Sequence, residues 1–83
     1  KALAAGADLV TMVHAETSTG LLDPVAEMCP LARARGARTI VDAVTSLGAH
    51  PVGAAGWGAD VIYSCSQKGL GAPSGLAPVV FRL

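Results

Sequence analysis

The sequence predicts an α/β fold built on a mostly parallel sheet. Three observations carry that prediction. Apolar runs punctuate the chain at "DLVTMVH", "RTIVDAV", "DVIYSC" and "LAPVVF", and each is continuous rather than alternating, as strands covered on both faces are. Between the first three lie one helical pattern and one Gly- and Pro-rich connection, the arrangement of crossovers rather than of hairpins. Polar residues gather where the runs stop, and in an open α/β sheet that edge is where ligands bind.

Taken in order, "KALAAGADLV" reads as the tail of a helix stopped at Gly6, leading into a first strand from Asp8 to His14. After the polar "AETSTG", the segment "LLDPVAEMCPLARARG" reads as a helix. Asp23 is placed to cap it, and Pro24 suits its first turn, where a missing N–H costs nothing. Leu22, Val25, Cys29 and Ala32 recur at helical spacing, and Gly36 is a natural stop. Pro30 conflicts with the pattern. An interior proline costs a helix about 3 kcal/mol, so a kink or an early end is expected there. The second strand runs from Arg38 to Val44, the third from Asp60 to Cys65 and the fourth from Leu76 to Phe81. The linking "SLGAHPVGAAGWGA" holds only a short helical turn.

Composition narrows the function classes. With 83 residues the chain is at most one domain, and 52% hydrophobic content with 14% charge argues for a packed interior. Formal net charge is zero. Arg33, Arg35 and Arg38 read as the solvated end of a helix, so neither nucleic acid nor a membrane surface is an expected partner. No apolar run approaches the length of a bilayer span, and no signal peptide opens the chain. Cys29 and Cys65 have no CxxC partner and no zinc spacing with His14 or His50, so they read as buried structural thiols and no metal is expected. Free thiols suit a reducing, intracellular setting. The chain lacks an initial Met and closes on a strand, so residues 1–83 read as an internal segment of a larger protein, without a domain boundary inside it.

The polar strand ends are "HAETSTG", "DAVTS" and "SCSQKG". Their charged members with most to explain are Asp42 and Lys68, one crossover apart. Alone, Asp42 reads as a structural carboxylate that must be hydrogen-bonded if buried, and a lone lysine reads as a solvated surface group. Yet Lys68 sits between a buried strand and the Gly- and Pro-rich loop "GLGAPSG". Lysines in such settings are suited to Schiff-base chemistry. As a pair, the amine and the acid match the two ends of pyridoxal phosphate. Its aldehyde binds an amine, and its ring nitrogen needs an acidic partner to stay protonated.

"HAETSTG", "VDAVTSLGAHPV" and "WGADVIYSCSQKGLGAPSGLAPV" resemble, in order and spacing, the central part of class V aminotransferases. The nearest likeness is to the alanine–glyoxylate and serine–pyruvate group of fold type I pyridoxal-phosphate enzymes. The resemblance covers almost the whole chain through the patterns HxExSTG, VDxVxSLG and SxSQK. It implies the large cofactor-binding domain, a mostly parallel sheet sandwiched by helices, incomplete in this segment. It also implies a homodimer in full-length form, and transfer of an amino group from a small amino acid, alanine or serine, to an oxo acid, glyoxylate or pyruvate. By the same resemblance Lys68 is the Schiff-base lysine and proton shuttle, and Asp42 pairs with the pyridinium nitrogen. Val44 packs on one ring face, Thr17 lies near the phenolic oxygen and Gln67 contacts the phosphate. The aromatic residue on the other ring face falls outside this segment, so Trp57 does not take that role.

The resemblance also frames the rivals. Cysteine desulfurases and kynureninases usually carry histidine before the lysine, so Gln67 favours the transaminase branch, and Cys65 reads as packing. A nucleotide-binding module would need GxGxxG or GxxxxGK[ST], and neither is present. A non-catalytic interaction segment remains the third reading. His14 reads as a hydrogen-bonded structural histidine ahead of an acid–base group. Glu16 reads as orienting its loop ahead of touching substrate. Ser18, Thr19 and Gly20 shape a turn, and Ser66 reads equally as a phosphate contact or a loop residue. His50 reads as exposed or packing, Trp57 and Tyr63 as core. Gly69, Gly71 and Gly75 let the backbone pass close to cofactor or partner. The segment alone is expected to lack activity and to be marginally stable.

Overall fold

The computed structural model describes residues 6–82. The sheet strands are β1 (Leu9–Val13), β4 (Arg38–Asp42), β5 (Val61–Tyr63) and β6 (Val79–Phe81), in the order β1-β4-β5-β6. A small antiparallel pair, β2 (Ala15–Glu16) and β3 (Leu21–Leu22), forms a hairpin after β1. Helices α1 (Val25–Ala34) and α2 (Ala54–Trp57) complete the fold. β1 pairs with β4 and β4 with β5 in parallel, while β6 adds antiparallel to β5. The expected mostly parallel α/β sheet is therefore present. The helix read into the first residues lies outside the described part.

Each expected strand is found, shortened at its ends. The chain leaves the ladder after Val13, Asp42 and Tyr63, though His14 N–H still donates to Asp42 O and Ala43 N–H to Tyr63 O, both at 2.9 Å. β6 starts at Val79 rather than Leu76 because Pro78 has no N–H to give a ladder.

α1 departs from expectation at its start and its middle. No side chain caps it. Asp23 instead donates its backbone N–H to His14 O at 2.8 Å, tying the helix entrance to the end of β1. Neither does Pro30 end the helix, which runs on to Ala34. Pro30 and Ala26 are both exposed, so the carbonyl that loses its partner lies on the wet side, where water replaces the bond. The stop is at Gly36 as expected. Gly36 has φ +77°, its N–H reaches Arg33 O at 2.9 Å, and Ala37 N–H reaches Ala32 O at 3.0 Å. These paired bonds are the Schellman arrangement, which favours glycine at the left-handed position.

Burial divides the sheet into two unlike faces. Thr39, Val41 and Ala43 are buried, whereas Ile40, Asp42 and Val44 between them are half-buried, the period-2 alternation of a strand. Met12, Val41 and Ile62 share the buried face in register and form the core with Val25, Cys29, Ala32 and Trp57. Cys29 is the buried thiol anticipated, and burial pushes its pKa up. At the amino end of the strands, Asp60 locks β4 to the start of β5. Its Oδ2 accepts from Thr39 N–H at 2.8 Å, and its own N–H donates to Thr39 Oγ1 at 3.1 Å. Among the described residues no helix is long and apolar enough to cross a membrane.

The other face carries Leu9, Val79 and Phe81, of which Phe81 is 68% exposed. That apolar surface predicts that residues 1–83 expressed alone bind a hydrophobic dye and melt without a cooperative transition, with no transaminase turnover. A sharp calorimetric transition without dye binding would contradict this.

Candidate active site

Because β1, β4 and β5 run parallel, their carboxyl ends emerge on one edge, and the loops 14–20, 43–48 and 64–70 meet there. Side chains stitch the loops together. Thr17 Oγ1 and Thr45 Oγ1 share a hydrogen bond at 2.9 Å. Ser64 Oγ donates to Ala43 O at 3.0 Å. His14 is buried, with Nδ1 2.8 Å from Ser46 Oγ. Its ring meets Trp57 edge-on, with centroids 4.7 Å apart. His14 is thus the structural histidine anticipated, and burial, aided by the charge of His50, lowers its pKa against a smaller opposing pull from Asp23.

Asp42 stands at the tip of the central strand, on the face away from the core. Its Oδ1 accepts the Val44 N–H at 2.9 Å, and its Oδ2 accepts the Tyr63 hydroxyl at 2.8 Å. Both oxygens are therefore held, each by a neutral donor, and each keeps a lone pair for another partner. Val44 is half-buried and opens the turn that follows β4, two residues past Asp42.

The Lys68 loop sits against this tip. A Cβ on Gly69 would run into the Thr45 and Leu47 carbonyls, and one on Gly48 would lie 2.8 Å from Gly69 O. Only glycine at both positions lets the two backbones touch. Lys68 itself is exposed, as is Gln67. Its position is set by Gly71 N–H donating to Lys68 O at 2.9 Å and Ala72 N–H donating to Ser66 O at 2.8 Å. Ser66 donates to Pro73 O at 2.7 Å and accepts from Leu76 N–H at 3.3 Å. Those bonds suit a loop role for Ser66. Cys65 is half-buried with Sγ 4.0 Å from Val44 O, a packing position.

The structure gathers Asp42, Val44, Thr17 and the Lys68 loop on one edge, and gives Thr17 a second setting. With Thr45 and Ser46 it lines a hollow of about 320 Å³ under the β2–β3 hairpin, which Asp42, Val44, Gln67 and Lys68 do not line. A larger hollow of about 440 Å³ lies by Arg33, Ile62 and Val80 and holds none of the strand-tip residues. Glu16 accepts the Ser18 hydroxyl at 2.7 Å, which suits a loop-orienting role. Tyr63 is the correction. It was expected in the core with Trp57. Trp57 is buried, but Tyr63 is 38% exposed and spends its hydroxyl on Asp42. The signal was its register: Tyr63 pairs directly with Asp42 across β4 and β5.

The family model described as aminotransferase class-V matches residues 1–83. A 2-aminoethylphosphonate–pyruvate transaminase from Burkholderia thailandensis is 45% identical over 73 residues, which make up 88% of this chain and 20% of the relative. The chain superposes on an alanine–glyoxylate aminotransferase from a Nostoc species with a TM-score of 0.85 and 45% identity, covering 90% of this chain and 20% of that one. It also superposes on a cysteine desulfurase from Thermococcus onnurineus with a TM-score of 0.85 and 32% identity, covering 92% and 19%. The chain spans about a fifth of the length of the relatives it matches.

Two predictions follow from the packing at the strand tips. Gly69→Ala in the full-length protein lowers stability by about 1–3 kcal/mol through overpacking, read by denaturant titration. Gly56→Ala, where a Cβ meets nothing, is neutral or stabilising. Equal effects would contradict the close approach. Because the folded pKa of His14 is lowered, its contribution to stability is complete above the ordinary histidine value of about 6.5 and declines as pH falls below it. The acid-side loss of Tm is therefore smaller in His14→Gln than in the parent, and an unchanged slope would contradict it.

Proposed function

The chain belongs to the class-V aminotransferase family, and on that premise we propose that it is the central part of the large domain of a pyridoxal-phosphate transaminase. The reaction moves an amino group from a small amino acid, alanine or serine, to an oxo acid, glyoxylate or pyruvate. The working unit is the homodimer that the family resemblance implies. The sheet is the one these aminotransferases share. The observation that carries the reading is the seating of the Lys68 loop, through Gly69, on the loop that follows Asp42. It brings an exposed amine and a half-buried carboxylate to one edge.

The residues present fit the cofactor. Asp42 is oriented by two neutral donors that bring no opposing charge to it, which suits a carboxylate that would pair with a protonated ring nitrogen. Lys68 is exposed on a short, tied loop, as an amine that must bind and release an aldehyde has to be. When bound, pyridoxal phosphate supplies the aldehyde that captures the amino group and the electron sink for the α-carbon. Lys68 would hold that aldehyde through Nζ, and its free amine would take the α-proton of the substrate. Val44, braced by its N–H bond to Asp42 Oδ1, would pack on a ring face. Thr17, hydrogen-bonded to Thr45, would contact the phenolic oxygen, and Gln67 would contact the phosphate.

Acceptors are argued from the relatives, whose names carry pyruvate and glyoxylate. The desulfurase likeness gives a second reading. Gln67 before Lys68 and the packed setting of Cys65 favour transamination over it.

Borohydride reduction of the full-length protein is expected to fix the cofactor on Lys68, seen by peptide mapping. Lys68→Ala is expected to lose the yellow absorbance and about a thousandfold or more of turnover. The expected product is the oxo compound of the donor, a keto acid from alanine, serine or cysteine and an aldehyde from 2-aminoethylphosphonate, and not sulfide from cysteine. Label on another lysine, or full activity in Lys68→Ala, would refute the assignment.

A further inference from the structure

We propose that Tyr63 is a positioning residue for the reaction: its hydroxyl, a neutral donor, fixes the plane of the Asp42 carboxylate for the cofactor ring nitrogen. The proposal rests on the functional reading above. Its starting point is the register of the sheet. Tyr63 and Asp42 are direct partners across the parallel β4–β5 pair, at the last ladder position before both strands open into the site loops.

The bonding is specific. Val44 N–H holds Oδ1 from the strand's own continuation, and Tyr63 Oη holds Oδ2 from the neighbouring strand, at 2.9 and 2.8 Å. With only the first bond, the carboxyl group could still turn about its Cβ–Cγ axis. The second, from a different element, removes that freedom. The chemistry of the donor matters too. A lysine or arginine in this place would neutralise the carboxylate, and an apolar residue would leave Oδ2 free. A phenol orients it without cancelling its charge, which a carboxylate holding a ring N–H⁺ requires.

The phenol responds in kind. Hydrogen bonding to Asp42, then burial and the charge of Asp42, raise its pKa, so it stays a proton donor through the pH range in which a transaminase works. Packing does not account for the residue. Tyr63 lies on the open face and is 38% exposed, while its neighbour Ile62 fills the core.

The test uses full-length protein. In the cofactor-free form, the tyrosinate absorbance of wild type minus that of Tyr63→Phe isolates this phenol. Its midpoint is expected above the ordinary tyrosine value and is expected to return toward it in the Asp42→Asn background. Reconstituted with pyridoxal phosphate, Tyr63→Phe is expected to weaken cofactor affinity about three- to tenfold and to lower kcat with KM little changed. In the Asp42→Asn background the same substitution is expected to change cofactor affinity no further. An ordinary phenol midpoint, an unchanged cofactor affinity, or an equal effect in both backgrounds overturns the proposal. Failure of the underlying reading looks different. Wild type then binds no cofactor at Lys68, while the phenol titration still reports the Tyr63–Asp42 bond.

Discussion

The contact between Gly69 and the carbonyls of Thr45 and Leu47 governs how the functional edge is assembled. Two loops leaving adjacent parallel strands tend to diverge, since each must turn back through a crossover. Here they are pressed backbone to backbone, with Gly48 also packed against Gly69. Neither glycine could carry a side chain without moving its neighbour. The consequence is local but decisive: the residue before Gly69 is Lys68, and the residue three before Thr45 is Asp42. Backbone packing sets the relation between two side chains that are far apart in sequence.

That edge is supported from behind by a polar network set into an apolar core. His14 bridges Ser46 in the Asp42 loop and the Trp57 ring in α2. Ser64 and Ser66 spend their hydroxyls on carbonyls of neighbouring segments rather than on solvent. At the opposite end of the strands, the reciprocal Thr39–Asp60 bonds fix the β4–β5 register. A one-residue slip would move Asp42 to the core face and away from Tyr63. Register at one end of the sheet thus becomes chemistry at the other.

Much of this was legible in the sequence because it rests on patterns with a short range. The apolar runs gave the strands, Gly36 gave the helix stop, and the polar residues after each run marked the edge. Asp42 and Lys68 came from their places at the strand ends, Val44 and Thr17 from the family resemblance, and the structure brings their loops together. What escaped depends on tertiary partners. Asp23 has the chemistry of a helix cap, but its backbone is drawn to His14 O instead. Pro30 has the chemistry of a breaker, yet its exposed position lets water satisfy the carbonyl it frees. Tyr63 looked like core because aromatic residues in apolar runs usually are, and only the pairing of β4 with β5 turns it toward Asp42.

The central claim is that Asp42 and Lys68 serve opposite ends of one ring. The most direct measurement is the nitrogen NMR shift of full-length protein reconstituted with pyridoxal phosphate labelled at its ring nitrogen. The account predicts a protonated nitrogen in the parent protein and a deprotonated one in Asp42→Asn, with the label still bound through Lys68. A ring nitrogen whose protonation is indifferent to Asp42 would contradict it.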